Sequence, residues 1–98
     1  MIFSTYITPQ AKEDIIDSRN YYNNKISGLG TRFVSSVKDS IDLITEHPEL
    51  FAERHNNTRT APVKDFPFLI HYGVNSNKHL IILLAIIHTA RNPENWPK

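Results

Sequence analysis

The side chains of this chain best suited to chemistry on a phosphate are Arg59, His88 and Arg91. An imidazole donates or accepts a proton near neutral pH. A guanidinium presents a rigid planar fork that clamps phosphate oxygens two at a time. Glu53, His71 and Tyr72 could assist as further proton carriers. Trp96 adds a wide aromatic face with one polar N–H, a side chain suited to anchoring a contact. Each also has an ordinary reading. His88 at a strand end caps or hydrogen-bonds, Arg91 pairs with Glu94, Trp96 closes over the core, and Arg59 is a solvated charge on an edge strand.

Other site types lack support. His47 and His55 stand eight apart across Pro48, a spacing that suits no metal site on a regular element, and no other His/Asp/Glu grouping does better. The chain has no Gly-rich phosphate loop and no nucleophile elbow. Neither a metal nor a nucleotide cofactor is expected. Cysteine is absent, which removes disulfides and thiolate ligands and fits a reducing compartment.

Charge is unevenly placed. Residues 1–50 hold five Lys/Arg against seven Asp/Glu, and residues 51–98 hold six against three, with four of the five histidines. The cationic bias falls on the half that carries Arg59, His88 and Arg91. It is far weaker than the basic patch of a protein that lives on phosphate contacts.

The elements that must position these residues follow from pattern. Ile2–Ile7 reads as a first strand. Thr8-Pro9 then starts a helix, with Thr8 as N-cap and Pro9 where a missing N–H costs nothing. Glu13 and Asp14 lie toward its positive end. Ala11, Ile15, Ser18 and Tyr22 form its buried stripe, and only one of the neighbours Tyr21 and Tyr22 can face the sheet. A turn at residues 23–28 leads to a second helix with Phe33, Val37, Ile41 and Ile44 on one face, ended by Pro48. Gly30 costs helix propensity there, so close approach of the two helix backbones is expected.

Residues 51–60 read as a polar loop, followed by a short strand near Arg59–Lys64. Phe66, Phe68, Ile70, Tyr72 and Val74 alternate with Pro67, Leu69, His71 and Gly73, so the first set should face the helices. Leu80–Ile87 is apolar on both faces and must be an inner strand. At eight residues it falls far short of the ~20 needed to span a bilayer as a helix. The start lacks the features of a signal peptide, so a soluble cytoplasmic protein without membrane contact is expected. The result is one α+β domain over residues 1–98, ordered β-α-α-β-β-β, with a helical hairpin packed on a small, mostly antiparallel sheet.

That order, with its landmarks, resembles the RelE/ParE superfamily of bacterial toxins from type II toxin–antitoxin pairs. The landmarks are Ala11…Asp14-Ile15 and Tyr21-Tyr22, Leu29-Gly30…Arg32-Phe33, Pro48, Arg59, Phe66-Pro67-Phe68…Ile70…Tyr72, and His88…Arg91-Asn92-Pro93…Trp96. They run in one register over nearly the whole chain. The resemblance implies a cytoplasmic, growth-inhibiting toxin silenced by a cognate antitoxin in a hetero-oligomer. RelE-like members cut mRNA on the ribosome, whereas ParE-like members lack that catalytic set and poison DNA gyrase.

Metal-free RNA cleavage needs a base for the 2′-OH, an acid for the leaving oxygen, and cations for the charge on phosphorus. If the chain were a nuclease, Arg59, His88 and Arg91 would be its catalytic residues. It departs from the RelE-like pattern of a Lys/Arg cluster with a late Tyr or His. The middle region holds only Arg54, Arg59 and Lys64, and no Tyr follows residue 72. The ending looks ParE-like. The reading is therefore a gyrase inhibitor without chemistry of its own, in which Arg59, His88, Arg91 and Trp96 bind the target. Its rivals are a ribosome-dependent mRNA endonuclease and a non-toxic relative that only binds its antitoxin.

Overall fold

The computed structural model describes residues 2–90. Strand β1 (Ser4–Ile7) leads through Thr8 into helix α1 (Pro9–Lys25), and a short turn leads into α2 (Leu29–Glu46). Four strands follow: β2 (Glu53–His55), β3 (Thr58–Pro62), β4 (Phe68–Asn75) and β5 (Leu80–His88). One sheet contains all five in the order β1-β5-β4-β3-β2. Only the β1–β5 pair is parallel; the others are antiparallel.

The expected apolar stripes form the core. Phe33, Val37 and Ile44 are buried with Ala11 against Ile70, Tyr72, Ile81, Leu83 and Ile86, and Ile15, Tyr22 and Ile41 pack at the margin. Tyr22 turns inward onto Phe33, Phe66 and Phe68, while Tyr21 remains 57% exposed. The tight approach at Gly30 is also present. A Cβ there would collide with the carbonyl oxygen of Arg19 and stand 2.6 Å from Asn23 Cγ. Asn23 Oδ1 instead accepts the Gly30 N–H at 2.7 Å, which caps a helix whose own N-cap, Gly28, offers no side chain.

Several expectations change, among them the turn expected from residue 23, since α1 runs to Lys25, and the strand expected from Phe66, since β4 starts at Phe68. The first strand begins at Ser4, and the Phe3 N–H already turns to the carbonyl of Thr45 at the end of α2. Residues 51–60 are not simply a loop. Glu53–His55 is an outer strand joined to β3 by Asn56 and Asn57, both left-handed at φ 44° and 60° as a tight hairpin requires. Arg59 therefore lies on an inner strand between β2 and β4. Asp14 does more than favour a helix dipole: its Oδ2 accepts the Ile86 N–H at 2.9 Å.

That last contact has a structural reason. The register of β5 slips by one residue, because His71 pairs with Ala85 and Tyr72 with Leu83, leaving Leu84 as a bulge. Strand β1 ends opposite Leu83, so among the described residues β5 continues with no strand on that side. Thr8 and Asp14 close the gap. The Thr8 hydroxyl lies 2.8 Å from the Leu83 carbonyl and 3.2 Å from that of Leu84, while accepting the Ala11 N–H as N-cap. Asp14→Ala should cost about 1.5 kcal/mol by orphaning the Ile86 N–H, and Asp14→Asn, which retains an acceptor, much less. Thermal denaturation of both variants tests this. Equal losses would mean that the carboxylate acts through something other than this bond.

Candidate functional site

Arg59 reaches inward rather than to solvent. Its guanidinium donates to the Phe51 carbonyl at 2.7 Å, and it pairs across the sheet with Tyr72. The Tyr72 hydroxyl donates to the Pro48 carbonyl at 3.0 Å. Burial raises the Tyr72 pKa and the nearby Arg59 charge opposes that rise. The two side chains thus tie down the segment that links α2 to β2. Arg59 retains a partly exposed flank, with the exposed Glu53 opposite it on β2.

His88 closes β5. It is exposed, its ring meets Phe68 edge-on at 5.2 Å, and its Nδ1 accepts the Ala90 N–H at 3.0 Å. With Nδ1 engaged as an acceptor, Nε2 carries the proton of the neutral ring. On β4 the partner of His88 is Phe68 and that of Arg59 is Tyr72. Four residues of strand separate those partners by about 13 Å, and β4 itself lies between the two candidates. One phosphate does not reach both. Arg91 and Trp96 lie outside the described residues.

The remaining proton carriers are enclosed. Tyr72 is fully buried in the core. His71, also fully buried, sits between Thr60 and Ala85 in the pairing of the sheet, with the His55 ring 6.1 Å away. Burial, and secondly the charge of a protonated His55, lower its pKa to about 4. It is neutral at pH 7 and closed to solvent. Among the described residues no three His, Cys, Asp or Glu side chains gather where they could hold a metal ion.

The surface instead offers contact area. Ile2, Tyr6 and Ile7 are exposed at or beside β1, whose outer edge has no strand partner among the described residues and whose own residues carry no charge. Edge strands of this kind invite another chain. The opposite edge, β2, is three residues long and reads Glu-Arg-His, which discourages pairing. Sequence reading missed this asymmetry because it depends on strand order. A cavity of about 360 Å³ lined by Phe3, Pro48, Leu50 and Val74 opens near the start of β1. Another of about 340 Å³ lies between α1 and the end of β5. None of the described helices is long and apolar enough to cross a membrane.

Comparison with known proteins agrees with this architecture. A structure described as the chromosomal ParDE toxin–antitoxin system from P. aeruginosa superposes with a TM-score of 0.76 at 18% identity, covering 89% of this chain and 96% of that one. The RelBE2 toxin–antitoxin complex from Mycobacterium tuberculosis superposes with a TM-score of 0.67 at 13% identity, covering 90% and 99%. At such identities these likenesses speak for the fold. A sequence search of curated proteins finds no match. Residues 6–93, however, match the family described as the ParE toxin of the type II toxin–antitoxin system parDE, and the chain belongs to that family of toxins.

Proposed function

We propose that this toxin arrests growth by binding DNA gyrase stoichiometrically, without chemistry of its own, and that a cognate antitoxin neutralises it. The observation that carries this reading is the separation of Arg59 from His88, which leaves the described proton carriers and clamps without a common phosphate. Arg59, His88, Arg91 and Trp96 act as target contacts. The antitoxin lays an amphipathic segment beside the helical hairpin and extends along the free, uncharged edge of β1 as an added strand.

The test is incorporation of labelled thymidine and methionine in the minutes after the chain is induced alone in a bacterium. Failure of DNA synthesis first, with DNA-damage signalling, is the expected result. Earlier arrest of protein synthesis would overturn it in favour of a ribosome-dependent mRNA endonuclease. Unimpaired growth would mean a relative that only binds its antitoxin.

A further inference from the structure

The cavity between α1 and β5 has a lining that the gyrase reading does not use: Asp17, Ser18, Tyr21, Tyr22, Phe68 and His88. From this lining we infer that it receives the side chain of an arginine from a protein partner.

The argument begins with helix spacing. Asp17 and Tyr21 are four residues apart, as are Ser18 and Tyr22, so α1 presents a carboxylate beside one phenol and a hydroxyl beside the other. Among the described residues the Asp17 carboxylate has no ion pair or hydrogen bond, so its acceptor capacity is free for a ligand. The Tyr21 ring already attracts a cation, because the Lys25 ammonium stands over it at 5.3 Å. Tyr22 meets Tyr21 edge-on at 5.4 Å and packs on Phe68, which meets His88 in turn. The result is an aromatic trough with one negative group at its rim.

The chemistry of that lining selects its occupant. A guanidinium stacks on aromatic faces and offers paired N–H groups to a carboxylate. An ammonium lacks the planar fork. A nucleotide could stack equally well, but its phosphate would meet Asp17, and among the described lining residues no Lys or Arg offsets the repulsion. The His88 Nε2–H, without a partner among the described residues, offers a donor to a main-chain carbonyl of the segment bearing the arginine. The inference rests on the proposed function only in requiring a protein partner.

The experiment is an amide NMR titration of the full chain with N-acetyl-arginine methylamide, a probe without a backbone charge. Saturating shifts at Asp17, Tyr21 and His88 are expected, with a Kd on the order of 10 mM for a single side chain. Asp17→Asn should weaken binding about tenfold. Lys25→Met should tighten it about threefold by removing a competing cation, a gain that general loss of structure does not produce. Capped lysine should bind more weakly than capped arginine. Equal binding of the two, indifference to Asp17→Asn, or tighter binding of adenosine monophosphate would each overturn the inference. The titration uses the toxin alone, so its failure and a failure of the gyrase assay are separate results.

Discussion

Replacing Gly30 with alanine should lower the stability of the domain by about 2 kcal/mol, despite alanine's better helix propensity. The propensity gain is at most about 1 kcal/mol. Against it stands the Arg19 carbonyl oxygen, which occupies the place of the new methyl group, with the Asn23 side chain close beside it. An overpacked contact costs about 1–3 kcal/mol, and a displaced Asn23 loses its bond to the Gly30 N–H, worth about another 1 kcal/mol. A net loss of this size lowers Tm by about 10 °C in a domain this small. Thermal and urea denaturation measure it directly. Combining Gly30→Ala with Asn23→Ala separates the causes, because the obstructing oxygen belongs to the backbone. Recovery in the double variant would show that the helices can separate and that only the side chain was in the way.

Gly30 was legible because a glycine inside a helical pattern costs stability and so needs a reason. The same local logic reached Thr8, Pro9, Pro48 and the Phe33–Ile44 stripe, where a cap, a ring or a period of 3.6 residues acts within a few positions. It failed at β2. Glu53-Arg54-His55 has no apolar alternation and is held only by β3, although Asn56-Asn57 was a usable hairpin signal. The bulge at Leu84, the inner position of Arg59 and the distance from Arg59 to His88 depend on register between strands remote in sequence. So does the cavity on α1, where Asp17 gains meaning only once β4 and β5 bring Phe68 and His88 beside it. Candidate residues could therefore be chosen by type, but their grouping could not be read from the sequence.

Acidification should destabilise this protein through His71 before most carboxylates titrate. The unfolded chain protonates this imidazole at its ordinary value of 6.5, whereas the folded one resists until about pH 4. Above pH 6.5 both states are neutral and the full stability is present. Between 6.5 and 4 the unfolded state binds the extra proton, so stability falls by about 1.4 kcal/mol per pH unit, toward a total of about 3 kcal/mol. Below pH 4 both states are charged and this contribution levels off. The physical cause is the fully buried position between Thr60 and Ala85, with His55 adding repulsion once it is charged. Urea denaturation at intervals from pH 7.5 to 4.5 should show the decline, and His71→Leu should flatten it whatever its own stability at neutral pH. The slope carries the test, since a lost packing contact shifts both ends of the profile together. A His71→Leu profile as steep as that of the native chain would place the acid sensitivity outside this imidazole.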